Sequence, residues 1–367
     1  MMLGLAIHAP LIFYFPDAAK ELGITDISPA ESWIYLILEF ITIWRMPLFF
    51  MLAGFFSILV IERKGLNKFI QDRFIRIGIA CVFFAASLDL LDGNLDFTLD
   101  HLWFLYYLML FIILLSLQCA YPKLKHLITS KLTIKGVIKT FLSMLLLIPL
   151  SVLFSGTWQP LSFFPPSTYF DIDIGAVVYY FSFYFLGAIL YSNQEFFRLI
   201  DSRIIIIISG LLSIIVFFLY LRINDYMFRV GNEELYFLFS GEEAFHDIEL
   251  NPIIVFINNL IKQLNTILWI VFLMSISRRY ITSDSKILRW FVELSYPVYI
   301  LHLTPIVLVS AELYKAGFDQ FQIFIISILI GFSISVILYY AVIKFSPLNW
   351  LLNGYKRSYF KIRYLKD

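Results

Sequence analysis

Ten apolar segments separated by short polar connections constrain this chain more than any other feature of its sequence. They run approximately over 1–15, 34–61, 75–91, 102–117, 137–154, 175–191, 204–221, 252–275, 294–311 and 323–343. A bilayer core of roughly 30 Å takes about 20 residues of helix, and most of the segments approach that length. Their uninterrupted apolarity favours helices, since barrel strands would alternate with period two over about ten residues. A helix also satisfies its own backbone polar groups in lipid. Composition agrees: 60% of residues are hydrophobic, 15% are charged, and mean hydropathy is +0.82. A soluble domain is nearer half apolar and a quarter charged. The expected fold class is all-α, a polytopic membrane protein of about ten transmembrane helices. No linker rich in Pro, Gly or Ser divides the chain, so residues 1–367 read as a single membrane-embedded domain.

Orientation follows from Lys and Arg. Loops 62–74, 118–136, 192–203 and 276–293, the tail after Ile343 and the adjoining helix ends hold 22 of the 28 basic residues. The alternate loops hold four: Lys20, Arg222, Arg229 and Lys315. Basic residues collect on the cytoplasmic side, which places the chain in a cytoplasmic (inner) membrane with both termini inside. The opposite side is acidic. Asp89, Asp92, Asp96 and Asp100 surround one short loop, and Glu233, Glu234, Glu242, Glu243, Asp247 and Glu249 lie in the longest. A solvated face explains these residues; a cation- or acceptor-binding role is the competing reading. The short basic tail needs no role beyond anchoring on anionic lipid. The proline-bearing stretch Trp158–Pro166 reads as a folded outer loop.

The first segment is anomalous. Fifteen residues cover only about 22 Å at 1.5 Å per residue, no basic residue precedes them, and the small-residue cleavage pattern of a signal peptide is missing. An upstream start codon is the expected explanation, with a re-entrant first helix as the alternative.

Net charge is +1 and the isoelectric point about 7.7, which leaves no basic excess to hold nucleic acid by its phosphates. The two cysteines, Cys81 and Cys119, have neither metal-ligand spacing nor a disulfide framework. No metal and no tightly bound cofactor are expected.

An ionisable group within a span costs about 2.5–3.5 kcal/mol on insertion scales, so it faces a cavity or a partner. The spans contain His8, Glu39, Arg45, Lys262 and His302, and His101 begins the fourth at its outer end. His8 reads either as a histidine bonded to a neighbouring helix or as a general base, since imidazole exchanges protons near neutral pH. Pro10 follows it and can kink or widen the helix. Glu39 and Arg45 lie about 9 Å apart along one helix and point different ways, so each needs another partner. Arg45 does not deprotonate and calls for an anionic ligand, a carboxylate or backbone carbonyls. Lys262 can snorkel or pair with Glu39. Arg73 and Arg76, three residues apart, share a helix face; they serve either as topology anchors or as a phosphate clamp of forked guanidinium donors.

The blocks Met2-Leu3-Gly4-Leu5-Ala6-Ile7-His8 and Arg45-Met46-Pro47-Leu48-Phe49-Phe50-Met51-Leu52-Ala53-Gly54-Phe55-Phe56 resemble the first two helices of the acyltransferase 3 family of integral-membrane acyltransferases. The resemblance is closest to the branch typified by glucan biosynthesis protein C. Arg73-Phe74-Ile75-Arg76, His101-Leu102-Trp103-Phe104-Leu105 and Leu294-Ser295-Tyr296-Pro297-Val298-Tyr299-Ile300-Leu301-His302 extend it in the same order along the chain. It implies a ten-helix acyltransferase that moves an acyl group from cytosolic acyl-CoA, as co-substrate, to a hydroxyl of an extracytoplasmic carbohydrate or glycan. His8 matches the family's helix-one histidine, Arg45 the branch's helix-two arginine, and Arg73 with Arg76 the family's paired arginines. The family also has an arginine upstream of that histidine with ten residues between; here its position would fall before Met1.

These residues suggest a mechanism. His8 takes the proton of an acceptor hydroxyl that attacks a thioester. Arg45 stabilises the oxyanion or binds the distal carboxylate of an acyl group such as succinyl, acetyl being the simpler alternative. Arg73 and Arg76 hold the donor's phosphates, and Trp103, His101, His302 and Glu39 line a tunnel or the acceptor, although Trp103 equally suits an interfacial aromatic belt. The competing class is a proton-coupled transporter or exporter without group transfer. It lacks the internal repeat such carriers show, since loop lengths and proline positions in the two halves do not correspond.

Overall fold

Apolar side chains occupy almost every turn of this chain, and the turns are helical. The computed structural model describes residues 2–91, 98–121, 134–155, 170–230, 251–281 and 285–354, and no strand occurs among them. The helices are α1 (Leu3–His8), α2 (Leu11–Tyr14), α3 (Pro16–Glu21), α4 (Ser32–Lys64), α5 (Leu66–Arg73), α6 (Ala80–Leu91), α7 (Trp103–Ala120) and α8 (Ile134–Ser155). They continue with α9 (Ile174–Ser192), α10 (Glu195–Ile200), α11 (Arg203–Val230), α12 (Pro252–Tyr280), α13 (Lys286–Leu301), α14 (Leu303–Lys315), α15 (Gln320–Leu338) and α16 (Leu348–Asn353). Two π-helical stretches, Phe74–Ile79 and Tyr339–Ile343, join α5 to α6 and extend α15.

The chain is an all-α, multi-pass membrane protein. Six helical stretches among the described residues are long and apolar enough to cross a bilayer: Ser32–Lys64, Asp100–Ala120, Ile174–Ser192, Arg203–Asp225, Pro252–Tyr280 and Gln320–Ile343. Helices α13 and α14, bent by 69° to each other, are long and apolar enough together and make a seventh if the pair crosses as one span. The segments over 1–15, 75–91 and 137–154 are helical too but fall outside that set, so the described residues support six or seven spans where the sequence suggests ten. Lipid sets the outward pattern. On α11, Ile204, Ile207, Leu211, Ile215 and Phe218 are exposed at helical spacing, while Ser209, Ser213, Tyr220 and Asn224 are buried. A soluble helix would show the reverse.

Prolines explain the breaks. Pro10 has no N–H, and its ring clashes with the carbonyl four residues back, so α1 stops at His8 and α2 starts at Leu11. Ser310 Oγ donates to the Ala9 carbonyl at this break (2.9 Å) and ties it to α14. Pro305 sits four residues after Leu301 and interrupts the ladder in the same way; the resulting bend centres on His302. The π-helical turn has a different partner. Tyr296 Oη, from α13, donates to the Arg76 carbonyl (2.8 Å). Such turns widen a helix by one residue and are frequent at functional positions.

Two glycines hold the centre. A Cβ on Gly54 of α4 would lie 1.8 Å from the Tyr184 carbonyl oxygen of α9, and one on Gly187 would lie 1.8 Å from that of Met51. Only hydrogen fits at either position, so the two backbones touch, the packing that small residues permit in membranes. α4 ends at Gly65, whose φ of +83° a side chain would oppose, with Arg63 and Lys64 in the last turn complementing the helix dipole.

Of the acidic cluster, Asp89 is buried and accepts from Thr98 N and Oγ1, both at 2.7 Å, which closes the loop ahead of α7. Asp92, Asp96, the acids of 233–249, Trp158–Pro166 and the last 13 residues of the tail lie outside the described residues.

Candidate functional site

Three histidines from distant parts of the chain meet where the helices break. His8 ends α1 beside the Pro10 interruption, His101 lies in the 3₁₀ turn Asp100–Leu102 ahead of α7, and His302 occupies the bend between α13 and α14. The His8 ring centroid is 5.0 Å from that of His302 and 6.0 Å from that of His101, and His101 and His302 are 5.2 Å apart. Asp100, immediately before His101, has φ +39°, the one positive value at a non-glycine among the described residues. Positions of this kind collect at functional sites.

Local bonds fix which ring nitrogens face inward. His302 Nδ1 donates to the Tyr299 carbonyl (2.6 Å) and His101 Nε2 to the Ile300 carbonyl (3.1 Å). A carbonyl only accepts, so these nitrogens carry the protons and His302 Nε2 and His101 Nδ1 are bare acceptors. Both bare nitrogens are buried without a partner among the described residues, as is His8 Nδ1. Tyr299 Oη donates to the His101 carbonyl (2.7 Å) and locks the turn to α13. Gly4 makes room for the cluster: a Cβ there would stand 3.2 Å from His302 Nε2 and 3.3 Å from the Tyr299 ring. His101 and His302 are buried, whereas His8 is half-buried and keeps accessible surface.

Arg45 comes to the same place from α4. It is close enough for its charge to act on His8, His302 and Tyr299, and its Nε and Nη1 are buried without a partner among the described residues. It lines a cavity of about 160 Å³ whose other walls include Leu48, Leu52, Phe104 and Tyr299. One cation with two unpartnered donors among the described residues therefore faces an otherwise apolar pocket, within charge range of the His8 and His302 imidazoles. Such an arrangement can accept a proton at imidazole and stabilise a developing anion at guanidinium. Among the described residues no group of three His, Cys, Asp or Glu is placed to hold a metal ion.

Other sequence candidates fall elsewhere. Trp103 stands one residue beyond the 3₁₀ turn and packs against Tyr180 (5.5 Å), Tyr107 (5.9 Å) and Phe50 (6.4 Å), within the bundle's aromatic core. Glu39 is buried in a separate network between α4, α11 and α12. Tyr220 Oη donates to both its oxygens (3.1 Å) and Tyr35 Oη to one (3.2 Å). Lys262 lies within charge range of Glu39 and 5.4 Å from the Tyr220 ring centre. Arg73 stacks over Phe69 at 5.6 Å, and Arg76 Nε donates to the Leu352 carbonyl (3.0 Å). The two arginines lie close enough to Tyr296 for both charges to act on it.

Residues that sequence reasoning passed over include Gly4 and Tyr299, which shape the histidine cluster. The polar face of α12 is another: Asn258, Asn259, Lys262, Gln263, Asn265 and Thr266 are all buried. Asn259 Nδ2 and both amide atoms of Gln263 have no hydrogen-bond partner among the described residues. Polar pairs recurring at three- to four-residue spacing (258/259, 262/263 and 265/266) in an otherwise apolar span were the available signal.

The family model described as an acyltransferase domain, that of acyltransferase 3, matches residues 1–342. Neither the curated proteins nor the solved structures contain a match to the chain.

Proposed function

Because the chain belongs to the acyltransferase 3 family and is a membrane acyltransferase, we propose that it carries an acyl group from cytosolic acyl-CoA to a hydroxyl of an extracytoplasmic carbohydrate or glycan, in the cytoplasmic membrane and with both termini inside. The observation that supports this reading is that His8 lies within charge range of Arg45, which lines an apolar cavity, and that each has a buried nitrogen with no partner among the described residues. A carbonyl with a short acyl chain suits the cavity's apolar walls, and the arginine faces the position where negative charge would develop.

The acceptor oxygen attacks the thioester carbonyl while its proton passes to the His8 imidazole, and Arg45 stabilises the oxyanion. The carbonyl re-forms as the C–S bond breaks, and the thiolate takes the proton from His8 to leave as free CoA thiol. An ester remains on the acceptor. General-base help is worth about 10²–10⁴-fold, and a thioester is already activated, so positioning in a dry site supplies much of the remainder. His101 and His302 offer bare acceptor nitrogens, Nδ1 and Nε2, to other hydroxyls of the acceptor, while the single proton of the reacting hydroxyl goes to His8. Glu39 acts at a distance, holding α4 to α11 and α12, and does not touch the reacting atoms. Acyl-CoA is a consumed substrate, and no resident cofactor takes part.

Membrane vesicles supplied with acyl-labelled CoA test the proposal. Covalent label in glycan is expected, whereas uptake of unmodified solute without covalent label would overturn it.

A further inference from the structure

Three cavities follow one another along α4, and neighbours share walls. The pocket beside Arg45 shares Leu48 and Leu52 with a second cavity of about 270 Å³ between α4, α9 and α12. The second shares Phe55, Phe197 and Arg278 with a third of about 320 Å³. Character changes along the series. The second cavity is almost wholly apolar, and Gly187 in its wall is held without a side chain by the Met51 carbonyl. The third opens at the basic end of the bundle, where Gln194, Glu195, Arg198 and Arg278 line it. From Arg45 to Phe55 the helix rises roughly 15 Å, the length scale of a pantetheine arm.

We propose that this series is the donor site: the acyl-pantetheine arm lies along Leu48, Leu52 and Phe55, and the nucleotide phosphates sit at the mouth beside Arg198 and Arg278. The inference rests on the acyl-CoA reading above and specifies where that donor binds. A thin, mostly apolar arm with an anionic cap matches an apolar crevice whose mouth carries Arg198 and Arg278, with Glu195 beside them. Arg278 is braced there, since its Nε and Nη2 donate to the two Asp201 oxygens (2.9 and 3.0 Å) and Arg279 Nη1 to the Asp201 carbonyl (3.2 Å). Arg198, exposed on the short α10, is the more adaptable contact. Arg73 and Arg76 line none of the three cavities. Leu52 and Phe56 are exposed along the crevice, so a bilayer lipid chain is the other possible occupant.

Titration calorimetry in nanodiscs separates the possibilities, with CoA and adenosine 3′,5′-bisphosphate as probes. Arg198→Glu is expected to weaken both by about tenfold, some 1.4 kcal/mol. Leu52→Trp, which fills the crevice, is expected to weaken CoA by a similar factor and leave the bisphosphate unchanged. Wild-type affinity for CoA in both variants would overturn the inference and leave the crevice to lipid, as would a loss of CoA binding in Arg73→Ala/Arg76→Ala that Arg198→Glu does not share. If the wild-type protein binds no CoA, the donor reading itself fails and takes this site with it.

Discussion

Gly54→Ala adds one methyl group where α4 and α9 meet. The new Cβ would start 1.8 Å from the Tyr184 carbonyl oxygen, 2.8 Å from its carbon and 3.2 Å from Ala188 N. A real Cβ keeps at least 3.0 Å, so the helices must part by 1.2 Å or more at this level. The obstacle is backbone within a helical ladder and has no rotamer to swing aside. Overpacking costs roughly 1–3 kcal/mol, and a rigid obstacle puts this site at the upper end. At about 2–4 °C per kcal/mol for chains approaching this size, the melting temperature should drop by roughly 6–12 °C. Fluorescence-detected size-exclusion after heating steps, on detergent-solubilised protein, reads this directly. Gly78→Ala is the control, because a Cβ there meets Phe74 and Met109 at 3.5 Å and beyond, ordinary contact, and should stay within about 0.5 kcal/mol of wild type. If Gly54→Ala melts with wild type, the two backbones do not touch at this crossing and the reasoning is refuted.

Arg45→Met should lower acyl transfer by about 10²–10³-fold without lowering the melting temperature, since a buried cation with unpartnered donors contributes little stability; full turnover in this variant would remove Arg45 from the reaction. Tyr296→Phe leaves the Arg76 carbonyl of the π-helical turn without its donor and should cost about 1 kcal/mol, read as a melting shift of a few degrees, with no shift counting against the bond. The hydrogen bonds from Arg278 hold the Asp201 carboxyl below its ordinary value. A depressed carboxylate contributes stability above its unfolded value and loses it as pH falls through the folded one. Melting temperatures should therefore fall less steeply below about pH 4 in Asp201→Asn than in wild type, and parallel curves would contradict the linkage.

The sequence made the membrane class and the six longest spans legible because a helix in lipid has to be apolar on its outer face over a bilayer's thickness. The count of ten was less secure, because hydropathy does not register a helix that stops or turns. Pro10 was recognised as an interruption, but Pro305 was not, although its missing N–H bends the span over 294–311 at His302. His8, His101 and His302 stood out individually as polar residues in apolar surroundings. That they share one site depends on the breaks, on Gly4 and on Tyr299, none of which announces a partner 93 to 294 residues away. Helical geometry alone separates Glu39 from Arg45: Glu39 accepts from Tyr220 and Tyr35, whereas Arg45 turns to the cavity. Arg73 and Arg76 were placed on one face by α-helical spacing, whereas a π-helical turn begins between them.

The central claim is that the His8 imidazole accepts the proton of the attacking hydroxyl. Single-turnover acyl transfer by purified His8→Ala at saturating acyl-CoA tests it most directly, with size-exclusion and melting run alongside to show the variant folded. The account predicts a rate roughly 10²–10⁴-fold below wild type in a monodisperse protein. Transfer at the wild-type rate would contradict it.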